Sequence, residues 1–196
     1  MKRIFVVAAL IIQTLWFQSV DAQSYEKILS RQKVVINYDD HTVVTYTEPV
    51  EKVSLNNDCY YYWLSGQNIN VTQGGFSGKL LNGSFEAFYL DKNLKESGWF
   101  LNGLKVGDWK HWNESGVLID QYVWKDGKKD GQYRRYDTNG KEIEYGNYQH
   151  DLLDGKQVVV GDSSQVTYYK HGKVIQHHQL MPKFINKIIH PANSTK

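Results

Sequence analysis

Few side chains in this chain are arranged for covalent chemistry. Cys59 is the only thiol. A thiol nucleophile needs a neighbouring base or cation that lowers its pKa, and the surrounding NNDCYYY supplies no such signature, so Cys59 reads as a half-buried strand residue. A lone cysteine also forbids an intrachain disulfide. The carboxylates Glu86, Asp108, Asp120 and Glu142 fall in segments patterned as strands and turns, where a solvated sheet face accounts for them better than acid–base catalysis does. G-x-S-x-G, H-E-x-x-H and the P-loop are all missing, which leaves no motif for acyl transfer, zinc hydrolysis or phosphoryl transfer. His171, His177 and His178 crowd the C-terminal end, but adjacent strand residues point to opposite faces, so His177 and His178 cannot chelate one ion together. No enzymatic activity, metal or cofactor is therefore expected. With 23 basic and 21 acidic residues, the chain has no electrostatic footprint for nucleic acid.

The remaining candidates are aromatic, and their meaning depends on the elements that carry them. The chain holds 14 Tyr, 7 Phe, 6 Trp and 16 Gly against 3 Pro. Aromatic residues favour strands and Gly favours turns, so the composition predicts an all-β fold with frequent reversals. Internal repetition gives the plan. Gly83, Gly107, Gly131 and Gly155 are each 24 residues apart, and each opens a segment of one design. Two residues on stand Phe85, Trp109, Tyr133 and Gln157; three further stand Phe88, Trp112, Tyr136 and Val160. A polar turn follows, as in Asn113-Glu114-Ser115-Gly116 and Asp137-Thr138-Asn139-Gly140. A second strand ends on Phe100, Trp124 or Tyr148, and a second turn comes at Asn102-Gly103, Asp126-Gly127 or His150-Asp151. Asn-Gly and Asp-Gly are strong hairpin signals.

The predicted framework is thus Gly83, Gly107, Gly131, Gly155, Trp109, Trp112, Tyr133, Tyr136, Trp124 and Tyr148. An imperfect early unit at Tyr60–Gly78 and a last unit shorter by three residues extend the repeats over 60–174. Residues 23–59 contain a separate hairpin, KVVINYDDHTVVTY, turning at Asp39-Asp40 and expected to cap the array, since terminal repeats must differ from inner ones. The fold class predicted is all-β: a single-layer antiparallel meander of repeated hairpins with an N-terminal capping hairpin.

Off-consensus rings are the candidate binding surface: Trp99, Tyr122, Tyr61 and Tyr62. Trp99 and Phe100 must face opposite sides of the sheet. Tyr122 replaces the glycine found at the equivalent Gly98 and Gly146, so the framework does not require a ring there. A ring-lined face could stack on a sugar or a peptide.

Both ends have their own character. Lys2 and Arg3, an apolar run Ile4–Phe17 and a polar stretch ending Val20-Asp21-Ala22 have the layout of a signal peptide, 1–22, with the mature chain starting near Gln23. The apolar run is shorter than the roughly 20 residues a membrane-spanning helix needs. The tail, 175–196, is basic and mildly amphipathic. It is expected to cover the last sheet edge, with peripheral membrane contact through Lys183 and Lys187 as the alternative. Sequons at Asn70, Asn82, Asn113 and Asn193 stay without an assigned role.

The units GDWKHWNESG with VWKDGKKDG, and GQYRRYDTNG with YGNYQHDLLDG, resemble the MORN repeat, in the bacterial variant often labelled a YwqK-like antitoxin. The resemblance spans about 115 residues. It implies a hairpin array whose recurring positions are framework. The expected function is an exported, non-enzymatic binding or scaffold module with a protein or glycan partner at the cell envelope, secreted or periplasmic. The alternatives are an immunity protein that neutralises a toxin and, last, a glycan-acting envelope enzyme. Export has a direct check: mature protein recovered from producing cells should begin at or near Gln23, and a cytoplasmic form with Met1 intact would refute it.

Overall fold

The computed structural model describes residues 31–49, 52–161 and 164–175. The signal-peptide segment and nearly all of the tail lie outside these residues, as do His177, His178 and Asn193. Among the described residues the chain is all-β, with fourteen strands. They are β1 (Gln32–Asn37), β2 (His41–Thr47), β3 (Tyr60–Ser65), β4 (Asn68–Gln73), β5 (Lys79–Tyr89), β6 (Leu94–Leu101), β7 (Leu104–Trp112), β8 (Leu118–Lys125), β9 (Lys128–Tyr136), β10 (Glu142–Gln149), β11 (Leu152–Leu153), β12 (Gly155–Val159), β13 (Gln165–Lys170) and β14 (Lys173–Ile175).

They form one open antiparallel sheet in the order β1-β2-β5-β6-β7-β8-β9-β10-β12-β13-β14. The N-terminal hairpin pairs Lys33 with Tyr46, turns at Asp39-Asp40, and joins the meander through β5. The early stretch from Tyr60 also makes a hairpin, β3–β4, but it is not a rung in the series. It branches from the sheet where Trp63 and Leu64 meet Leu80 and Lys79, and its Tyr62, Leu64 and Ile69 pack on the core. The long β5 permits this by serving three neighbours: its first residues pair with β3 and the rest with β2 and β6.

The hairpin turns follow from residue chemistry. Asn102-Gly103, Asp126-Gly127, His150-Asp151 and His171-Gly172 all have positive φ at both positions, the geometry of a type I′ turn, whose twist matches that of the flanking strands. In each, the second residue donates its N–H to a carbonyl of the preceding unit: Gly103 to Leu81, Gly127 to Lys105, Asp151 to Lys129 and Gly172 to Leu153. Two residues beyond each accepting carbonyl stands an opening glycine, Gly83, Gly107, Gly131 or Gly155, at φ from +69° to +135°. A side chain is disfavoured at such φ values, so the 24-residue glycine spacing records the point where each turn locks onto the unit before it.

The core is built across strands. Phe85, Phe100 and Trp109 meet with centroids 4.9–5.5 Å apart, and Tyr62 reaches Phe100 at 4.8 Å. Val43, Leu81 and Ala87 complete this cluster, while Cys59, Tyr61 and Leu80 form a smaller one beside it. Cys59 lies just before β3 and is buried rather than half-buried; its Sγ sits 3.5 Å from the carbonyl of Asp126, and burial pushes its thiol pKa up. Of the three framework tryptophans, Trp109 is 3% exposed, Trp124 packs partly buried against the main cluster, and Trp112 is half-buried.

Gly98 exists to receive a ring. A Cβ there would lie 2.2 Å from the shared bond of the Trp109 indole, well inside any van der Waals contact. Gly98→Ala should therefore cost about 1–3 kcal/mol from overpacking, and Trp109→Ala about 3–5 kcal/mol. Because the three atoms nearest to that Cβ all belong to the indole, Gly98→Ala should cost less in a Trp109→Ala background. Urea denaturation of the two single variants and the double checks this coupling, and strict additivity would refute it.

Candidate functional site

Strand alternation puts one series of side chains on a single face. Phe85 lies opposite Gly98, Trp109 opposite Tyr122, Tyr122 opposite Tyr133, and Tyr133 opposite Gly146. Beside this row runs a second, in which Phe100 pairs with Lys105, Trp124 with Lys129 and Tyr148 with Gly131. The carboxylates Glu96, Asp120 and Glu144 stand at the same place in three successive units, 24 residues apart, as do Lys105 and Lys129 in two.

These rows enclose a cleft of about 280 Å³ in the middle of the sheet, with walls from Trp109, Tyr122 and Trp124 and charges from Glu96, Asp120, Lys105 and Lys129. A second hollow of about 200 Å³ shares Glu96, Lys105 and Trp109 with it and runs toward Tyr38, Tyr62 and Ile69. The two lysines lie on the rings. Lys105 Nζ is 3.7 Å from the Trp109 ring centre and 5.3 Å from that of Trp124. Lys129 Nζ is 4.0 Å from Tyr122, 5.3 Å from Tyr148 and 5.9 Å from Trp124. An ammonium over an aromatic face is attracted by the ring quadrupole, and more strongly when water is displaced.

The two lysines differ in their counter-ions. Lys105 makes a 3.0 Å ion pair with Glu96. Lys129 has no carboxylate within 4.0 Å among the described residues. Asp120, at the position of Glu96, is one methylene shorter and lies 3.7 Å from His111 Nδ1. Asp151 is engaged by the backbone N–H of Lys129 itself at 2.7 Å. Burial lowers the Lys129 pKa, and the more distant Asp151 and Asp120 offset that only in part. Burial also raises the Tyr122 phenol to about 12, so it stays protonated at neutral pH.

In the third unit the same carboxylate is fully engaged. Glu144 accepts from the Tyr133 hydroxyl at 2.7 Å, from Gln157 Nε2 at 2.8 Å and from Arg135 at 2.8 Å. Gln157 stands where the repeat would place a ring, and it closes the row by a hydrogen bond instead. Next to the cleft, the Trp109 indole N–H is buried with no acceptor among the described residues. Leaving such a donor unmatched costs roughly 1–3 kcal/mol, which ring packing and the Lys105 contact must outweigh.

The structure separates the four surface candidates. Tyr61 is fully buried, and its hydroxyl accepts the Asn56 N–H at 2.8 Å. It is core and cannot meet a partner, because the β3–β4 hairpin folds onto the sheet and carries it inside. Tyr62 is half-buried against Phe100. Trp99, 43% exposed, stands on the opposite face from Phe100 with the Arg31 guanidinium 5.7 Å from its ring. Tyr122 lines the cleft, yet it also stacks on Tyr133 at 5.6 Å and 8°. Gly98 and Gly146 each lie under a neighbouring ring, whereas Tyr122 fills that space with its own, so it belongs to both frame and surface. Lys105 and Lys129 were not among the sequence candidates. Their common 24-residue offset was a readable signal, but lysines on a repeat strand look like solvated positions until the rings beneath them are placed.

Comparison with protein-family models, with curated proteins and with solved structures gave no match to this chain.

The Glu144 cluster gives a pH prediction. Burial works to raise this carboxyl, but the bonds from Tyr133, Gln157 and Arg135 win and hold it below its ordinary 4.5. A carboxyl depressed on folding contributes stability above its unfolded pKa and loses it as pH falls through the folded value. Glu144→Gln should therefore cost roughly 1.5 kcal/mol at pH 7, the low end for a charged hydrogen bond because Arg135 is half exposed. The difference between variant and wild type should shrink on acidification below pH 4.5. Thermal melts from pH 7 to pH 3 check it, and a constant difference across that range would refute the assignment.

Proposed function

We propose that this chain is an exported, non-enzymatic binding module of the MORN-repeat type that presents the ring-and-lysine face of its array to a partner at the cell envelope. The observation that carries the reading is the cleft between Trp109, Tyr122 and Trp124, where rings and charges line an open hollow at mid-sheet. Trp109 closes on Phe85 and Phe100, and Tyr122 closes on Tyr133 and Tyr148, but a hollow stays open between these two groups beside Trp124. An aromatic hollow with a few fixed polar groups is the usual form of a ligand site.

Binding accords with the chemistry of the lining better than turnover does. No serine, threonine or cysteine faces the cleft, and His111 stands 3.7 Å from Asp120, beyond ordinary hydrogen-bond reach. Tyr122, with its phenol near 12, is a poor nucleophile at neutral pH. The three-zone N-terminus supports export, and the repeat units support the family reading.

Co-sedimentation of the purified protein with isolated cell envelopes tests this. Wild type should sediment, and Trp124→Ala should weaken retention about tenfold, equal to about 1.4 kcal/mol, while keeping its fold by circular dichroism. A wild-type protein that stays in the supernatant would overturn the proposal.

A further inference from the structure

We infer that the cleft at Lys129 is a binding site for an acidic sugar unit, one pyranose ring carrying a carboxylate of the uronic-acid kind. This deepens the binding-module reading above and rests on it.

The case begins from two consecutive units that share a design and differ at the carboxylate, Glu96 against Asp120, and two residues on, Gly98 against Tyr122. In the first, Glu96 reaches Lys105 at 3.0 Å and neutralises it. In the second, Asp120 and Lys129 occupy the equivalent positions, but no ion pair forms within 4.0 Å. The Lys129 ammonium is left on an aromatic floor of Tyr122, Tyr148 and Trp124. A cation partly stripped of water and lacking a partner favours an anion that brings its own charge to the site. The lining as a whole agrees. Lys105, Lys110 and Lys129 face Glu96 and Asp120, which leaves one net positive charge with His111 neutral.

The rest of the ligand is set by the walls. Trp109 is buried under Lys105, and Tyr122 lies between Tyr133 and Lys129, so the half-buried Trp124 is the ring that offers a face for the C–H side of a sugar, and Glu96, Asp120 and His111 offer polar atoms for its hydroxyls. At about 280 Å³ the cleft is just below the range of roughly 300–1,000 Å³ that holds drug-sized ligands, which suits one sugar unit. A peptide is the poorer fit. The cleft lies over β6 to β9, whose backbone groups are spent on neighbouring strands, so no free edge exists there for strand addition.

Calorimetric titration of the full mature protein with oligogalacturonate, and with the neutral galactose oligomer of equal length, tests the inference. The acidic oligomer should bind at least tenfold more tightly, and rising salt should erode the difference. Asp120→Glu rebuilds the carboxylate that Lys105 already has, so it should quench Lys129 and bring acidic affinity down toward the neutral value. Lys129→Met, which keeps the stem and removes the charge, should do the same; melting curves confirm that both variants fold. Equal binding of the two oligomers, or Asp120→Glu binding the acidic one as tightly as wild type, would overturn the inference. So would a carboxylate-ended peptide that binds where oligogalacturonate gives no heat. If neither oligomer binds while envelopes still retain wild type more strongly than Trp124→Ala, the sugar assignment fails and the module reading stands; loss of envelope retention as well removes both.

Discussion

Everything in this fold depends on aromatic rings being buried sideways. A sheet of one layer has no opposing sheet or helix to cover it, so its apolar surface can leave water only by lying over the next strand. The Trp109 indole does this over Gly98, tilted against Phe85 and T-shaped to Phe100, and Tyr133 does it over Gly146. Large residues and glycines must then alternate across strands, since a ring can lie down only where its neighbour has no Cβ. The arrangement is strongest at the N-terminal end, where the β3–β4 hairpin folds back and gives the rings the cover that the rest of the face lacks.

Repetition spreads this solution along the chain, and departures from it produce the chemistry. Each turn bonds back into the preceding unit, to the carbonyl two residues before the glycine that opens its own, so consecutive units are locked in one register and equivalent positions occupy equivalent places. Small changes at those places alter the local balance of charge. With glutamate the lysine is paired in place; with aspartate it is not; where lysine gives way to Leu153, the glutamate turns to Tyr133, Gln157 and Arg135. A tyrosine in place of a glycine at 122 stops Trp109 and Tyr133 from closing over one another. The cleft opens at that interruption, bounded by a paired cation on one side and an unpaired one on the other.

Most of the architecture was legible in the residues because it is local. The 24-residue glycine spacing, the Asn-Gly and Asp-Gly turns and the Lys33–Tyr46 hairpin each depend on a few neighbours in sequence and on the φ values those residues allow. The Trp99–Phe100 division into opposite faces followed from strand alternation alone. Tyr61 was misplaced for a non-local reason. Its strand reads as one more unit of the array, and nothing within that strand says that it leaves the meander, pairs with the start of β5 and buries Tyr61 between Cys59 and Leu80.

Sequence by itself determined the all-β class, the repeat length, the turn positions and which residues could supply rings, because backbone preference and side-chain alternation act over a few residues. Tertiary structure alone decided which rings are frame and which are surface, and that Lys129 lacks the counter-ion Lys105 has. Those outcomes depend on distances between strands: whether an aspartate falls one methylene short of an ammonium, or whether a glycine lies beneath an indole. Such distances exist only once the hairpins have stacked.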